Sequence, residues 1–186
     1  MDNSKTNFQL VSEMNAAFGN PKGNPDSIDI SRLRNQCVNI LDEFGELMIS
    51  LGANKSRVLS AISNFKAQLV FDSKFEDNLD DVRDALCDIH VFAYGAHHFM
   101  GVDADRDMTS VVSGVMTRFV KNEADRLATI EKHEAKGVTE VYFEGDYPTM
   151  IMKSASDQPD APKGKFLKSA SYAEPVFYDV GEVKFV

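Results

Sequence analysis

Leu33-Arg34-Asn35-Gln36-Cys37-Val38-Asn39-Ile40-Leu41-Asp42-Glu43-Phe44-Gly45-Glu46-Leu47-Met48-Ile49-Ser50-Leu51 is the stretch that decides the fold. At about 100° per residue, Leu33, Cys37, Ile40, Leu41, Phe44, Leu47, Met48 and Leu51 all fall within roughly 60° of Phe44. That spacing predicts an amphipathic helix. It begins near Asp29 or Ser31, and Gly52 stops it. Glu43 and Glu46 lie about 100° and 160° from Phe44 on one side of the stripe, with Asn39 and Ser50 between and beside them.

The same reading extends to both sides. A first helix is expected from Ser4 to Phe18, ended by Gly19-Asn20-Pro21-Lys22-Gly23-Asn24-Pro25. A shorter one is expected over Ser56 to Phe71. A long one spans Phe75 to Met100, with Leu79, Val82, Leu86, Ile89, Ala93, Ala96 and Met100 on its apolar side. On that helix Asp77, Asp81, Asp84 and Asp88 lie about 80° to 140° from Ile89, again to one side. Gly101 closes it, and Asp103 or Asp105 is placed to cap a further helix running from Asp107 to Ala135.

Beyond Lys136-Gly137 the period changes. Val141-Tyr142-Phe143 and Met150-Ile151-Met152 flank Gly145-Asp146-Tyr147-Pro148, the pattern of a hairpin. Asp157 to Lys168 reads as a polar loop. Val176-Phe177-Tyr178 and Val183-Lys184-Phe185 flank Val180-Gly181, a second small hairpin. The expected fold is mainly α: a four- or five-helix bundle with a small β-hairpin-containing C-terminal appendage. One domain is expected over 1–186, with a helical core at about 4–136 and a tail at about 137–186.

Composition narrows the function classes. The chain has 186 residues, enough for a domain with a real core, and 43% of them are hydrophobic, which excludes general disorder. No apolar run approaches the ~20 residues that span a bilayer, so no membrane partner is expected. The N-terminus lacks the order of a signal peptide, and Cys37 and Cys87 have neither metal-site nor disulfide spacing. A cytoplasmic protein is expected. A net charge of −9 argues against nucleic acid as a partner, because neutralising its backbone takes concentrated Lys and Arg.

The acidic strips carry the chemistry. Several carboxylates in one place are the hard oxygen ligands that Mg²⁺ takes, and without a cation they repel one another. Mn²⁺ is a substitute. Docking of the two apolar stripes would bring both strips together. The alternative is that they are the solvated sides of amphipathic helices. Arg118, Lys121, Lys163, Lys165 and Lys168 are candidates for phosphate contacts. Asn39 is a candidate for holding a base or sugar. Adjacent His97 and His98 diverge by about 100° on a helix and do not chelate together.

These residues carry a family resemblance. Leu41-Asp42-Glu43-Phe44-Gly45-Glu46-Leu47 resembles the EExxE signature of the MazG-like, all-α NTP pyrophosphohydrolases, with Asp42 in place of the first Glu. Asp84-Ala85-Leu86-Cys87-Asp88-Ile89 is similar to the second motif, ExxD. Here Ala85 stands where that motif has Glu, and the acid is displaced to Asp84, one turn before Asp88. Met116-Thr117-Arg118-Phe119 resembles a downstream segment of the family. Pro162-Lys163-Gly164-Lys165-Phe166-Leu167-Lys168-Ser169, with Tyr172 and Pro175, looks like the ending of its phosphoribosyl-ATP pyrophosphohydrolase-like phage branch.

The resemblance implies Mg²⁺-dependent hydrolysis of a nucleoside triphosphate to a monophosphate and pyrophosphate, in phage-type control of the deoxynucleotide pool. It implies Glu43, Glu46, Asp84 and Asp88 as metal ligands, with Glu43 or Glu46 also the catalytic base, and it leaves open whether Asp84 or Asp81 completes the set. It further implies a homodimer or homotetramer. The MazZ-type branch acts on dGTP, which makes dGTP the leading substrate; dUTP, dCTP, a modified nucleotide and phosphoribosyl-ATP are the alternatives. A non-catalytic helical interaction module is the alternative of another class.

Overall fold

A computed structural model describes residues 5–71 and 79–177. Among them are helices α1 (Asn7–Ala17), α2 (Ile30–Ser50), α3 (Lys55–Gln68), α4 (Leu79–Met100), α5 (Ala104–Met116) and α6 (Glu123–Glu134). Strands β1 (Val141–Glu144), β2 (Ile151–Ser154) and β3 (Phe166–Leu167) form one antiparallel sheet in that order. The fold is mainly α, as expected. The chain divides into two compact units, residues 23–84 and residues 1–22 with 85–186, and the boundary falls within α4 after Asp84.

Side chains that accept the first free N–H groups set the helix starts. Thr6 accepts from the Gln9 N–H while the Gln9 side chain accepts from the Thr6 N–H, a complete capping box. Asp29, Asn54, Asp103 and Asn122 cap α2, α3, α5 and α6 in the simpler way. Gly52 and Gly101 follow α2 and α4 with φ of +94° and +71°, a conformation that a side chain disfavours.

In the unit 23–84, α3 packs on α2 around Gly45, the buried residue of that helix. A Cβ at Gly45 would lie 3.3 Å from the Ile62 side chain and 3.6 Å from that of Val58. Val38, Leu41, Met48 and Ile49 are half-buried and fall within about 60° of Gly45. This face is centred about 100° round the helix from Phe44. The helix is therefore apolar over a wide arc: α3 covers one edge of it, while Phe44, Leu47 and Leu51 remain exposed. Cys37 is half-buried rather than in the core.

The other unit holds the best-buried residues. Val138, Met152, Ala161 and Leu167 form a closed cluster, with Ile130, Val141 and Phe143 packed against it. Val112, Phe119 and Val120 are also buried. The expected appendage is thus a core in its own right. α1 packs on α5, and Phe18 at its end meets the rings of Phe119 at 4.5 Å and Phe166 at 5.7 Å.

Three expectations need correction. The helix expected over Asp107–Ala135 is two, α5 and α6. Val120 leaves the helix to donate its N–H to the Met150 carbonyl (2.8 Å) and is wholly buried there, and Asn122 then caps a new start. The stretch expected as a polar loop contains β3, because Leu167 pairs with Met152 and is buried. Val176 and Phe177 are not in a strand. The rest of that expected hairpin (178–186), the residues just before α4 (72–78, including Asp77) and Ser4 lie outside the described residues.

Candidate functional site

On α2, Asp42, Glu43 and Glu46 part company. Gly45 sets the packing, and Asp42 sits beside the α3 face, where both its oxygens accept from Lys66 Nζ at 2.8 and 2.9 Å. Glu43 and Glu46 point to the other edge of the Phe44 stripe, are exposed, and form no hydrogen bond or ion pair among the described residues. Asn39 is exposed on the same helix. The two glutamates expected to bind metal are thus unbonded among the described residues, while Asp42 is held by Lys66.

On α4, Asp84 and Asp88 are one turn apart and exposed, and they too form no hydrogen bond or ion pair among the described residues. The half-buried side chains Leu79, Val82 and Leu86 lie about 120° to 180° from Asp88. Asp84, Asp88, Phe92, Gly95 and Phe99 instead line up within about 40° of one another's mean direction. Phe92 and Phe99 are 77% and 90% exposed. The carboxylates thus open a strip that continues into uncovered aromatic surface.

Glu43 with Glu46, and Asp84 with Asp88, are each a pair of oxygen donors one helical turn apart, the ligand type that Mg²⁺ takes. Among the described residues, no group of three or more His, Cys, Asp or Glu is gathered that could hold a metal ion. Asp81 is exposed on the first turn of α4. His97 Nδ1 lies 2.9 Å from the Ala93 carbonyl oxygen, engaged with its own helix.

The basic candidates separate. Arg118 and Lys168 come together at Tyr172: the Arg118 guanidinium lies 5.6 Å and Lys168 Nζ 4.2 Å from its ring centroid. Lys168 Nζ also donates to Glu174 (2.8 Å), which accepts from the Tyr172 hydroxyl (2.9 Å). This pairing holds the Lys168 pKa up and the Glu174 pKa down. Lys165 is spent on its own loop, donating to the Asp160 carbonyl (2.6 Å). Lys163 is exposed in that loop, where its backbone N–H is held by Asp157. The Lys121 N–H donates to Asp125, and its side chain is exposed ahead of α6.

Sequence reasoning passed over α6 and the segment that runs along it. Asp125, Thr129, Lys132 and His133 share one face of α6 and hold the backbone of residues 168–171. The Ser171 N–H donates to Asp125, the Ala170 N–H to Thr129, and Lys132 Nζ to the Ser169 carbonyl. His133 Nε2 lies 3.0 Å from the Lys168 carbonyl oxygen. Burial pushes the His133 pKa down, and Lys132 and Lys136 add to the shift. The spacing 125, 129, 132, 133 is a readable helical face, but only the fold shows what it faces. No protein-family model, curated protein or solved structure matches this chain.

Proposed function

We propose that the chain is a Mg²⁺-dependent nucleoside triphosphate pyrophosphohydrolase of the MazG-like kind, with dGTP the leading substrate. One observation carries the reading: Glu43 and Glu46 on α2, and Asp84 and Asp88 on α4, are exposed and uncommitted. The neighbouring Asp42 is tied to Lys66. Free carboxylates in helical pairs suit a cation that keeps waters and binds phosphate oxygens. Mg²⁺, with Mn²⁺ as substitute, supplies charge neutralisation of the triphosphate and a water of lowered pKa. Glu43 and Glu46 would hold the ion, and whichever kept an oxygen free would orient the attacking water and take up its proton. Asn39, exposed on the same helix as Glu43 and Glu46, is assigned to substrate.

A second copy of the chain, as dimer or tetramer, is assigned to the open apolar surfaces beside these carboxylates. Leu51, Phe92 and Phe99 are 72%, 77% and 90% exposed, and exposed apolar side chains gathered in a patch mark interaction surfaces. The same surfaces favour a second reading, a non-catalytic helical interaction module. Pyrophosphate release separates the two. With Mg²⁺ and a panel of dNTPs and NTPs, dGTP is expected to be cleaved fastest, and Glu46→Gln to lower the rate at least about 100-fold. Absence of pyrophosphate from the whole panel supports the interaction module.

A further inference from the structure

We propose that Arg118, Lys168 and Tyr172 form a binding site for a small phosphate-type oxyanion, in which the Glu174 carboxylate is the resident counter-ion. The site needs no metal and is independent of the carboxylates on α2 and α4.

Arg118 is the starting point. Its Nε is buried and has no hydrogen-bond partner among the described residues, where it is the one buried side-chain polar atom left so. A guanidinium has five N–H donors and no acceptor, so it is satisfied only by acceptors, and most strongly by an anion. Buried polar groups are nearly always partnered, so this donor is an exception.

The surroundings are cationic in a chain of net charge −9. Lys168 shares the Tyr172 ring with Arg118. Lys132, within electrostatic reach of Lys168, is fixed to the Ser169 carbonyl, and burial together with Lys136 and Lys168 holds its pKa down. Asp125 and Glu174 are the acids facing this group. Asp125 already accepts from the Ser171 N–H and hydroxyl and from the Lys121 N–H. Glu174 alone is replaceable: its side chain is 71% exposed, yet it accepts from both Lys168 and the Tyr172 hydroxyl. It places carboxylate oxygens where a ligand's oxygens would be held. A phosphate or pyrophosphate would take over the Lys168 and Tyr172 donors and add Arg118.

The test uses the full chain in EDTA at low salt. Inorganic phosphate, pyrophosphate and a nucleoside triphosphate are each titrated by calorimetry against wild type, Arg118→Gln and Glu174→Gln. Saturable binding is expected. Glu174→Gln should tighten it about 3- to 10-fold by removing the competing charge, and Arg118→Gln should weaken it at least about 10-fold. Binding of phosphate or pyrophosphate identifies a free anion as sufficient; binding of the nucleotide alone assigns the oxyanion to a nucleotide's phosphates. The proposal is overturned if neither wild type nor Glu174→Gln binds any of the three. Weaker binding by Glu174→Gln, or unchanged binding by a natively melting Arg118→Gln, overturns it as well. Because no divalent cation is present, failure here leaves the hydrolase reading standing, and failure of metal-dependent cleavage leaves this site standing.

Discussion

Two residues with similar sequence signals prove different in kind. Asp42 and Glu43 are neighbours in one acidic motif, but Asp42 is bound to Lys66 and Glu43 is free. Their positions differ by about 100° on the helix, and the face that packs is set by Gly45, whose missing side chain admits Val58 and Ile62. His133 makes a testable case of buried titration. Its folded pKa lies below the ordinary 6.5, so below that pH the unfolded chain binds a proton the folded chain resists. Stability should therefore fall as pH drops below about 6.5. His133→Gln keeps an N–H for the Lys168 carbonyl and cannot titrate, so its urea midpoint should lose this part of the pH dependence. An unchanged dependence would assign the loss to other groups.

At the scale of elements, the strap 168–177 holds α5 and α6 with side-chain-to-backbone bonds in place of strand pairing. Ser110 both donates to the Val176 carbonyl and accepts from its N–H, and Thr117 accepts from the Ala173 N–H. The strap crosses α5 at Gly114, where a Cβ would meet the Ala173 carbonyl oxygen at 3.1 Å and the Pro175 nitrogen at 3.2 Å. Those neighbours are backbone and do not swing aside. Gly114→Ala should cost about 1–3 kcal/mol and raise hydrogen exchange at the Ala173 and Val176 amides; a variant as stable as wild type would contradict this packing.

Helices α2 and α4 were legible from periodicity, and so was the first hairpin, because its alternation brackets a turn. The break at Thr117–Asn122 was not. Its cause is the burial of Val120 against Met150, a pairing across thirty residues that no local pattern encodes. β3 was hidden for the same reason, since Lys163-Gly164-Lys165 made its surroundings look like loop. That Glu43, Glu46, Asp84 and Asp88 flank apolar stripes was legible; that Asp42 is tied up was not, because Lys66 lies 24 residues further along the chain. The Arg118–Tyr172–Glu174 cluster was legible only in part, for its residues come from two distant stretches.

At the scale of the whole molecule, the buried core and the proposed chemistry fall in different places. The closed cluster belongs to the sheet and its flanks, while α2 and α4 carry free acids beside open apolar surface. If a second copy covers that surface, Phe92→Ser with Phe99→Ser should shift sedimentation toward monomer without lowering the melting temperature of dilute protein. Both side chains are exposed in the single chain, so only assembly should respond. The claim on which the account turns is that the carboxylate pairs Glu43 with Glu46, and Asp84 with Asp88, bind a divalent cation. The most direct measurement is the melting temperature of wild type, Glu46→Gln and Asp88→Asn across a Mg²⁺ or Mn²⁺ titration. A saturable rise in wild type that each substitution removes is the predicted result. Equal melting of all three, with or without metal, would contradict it.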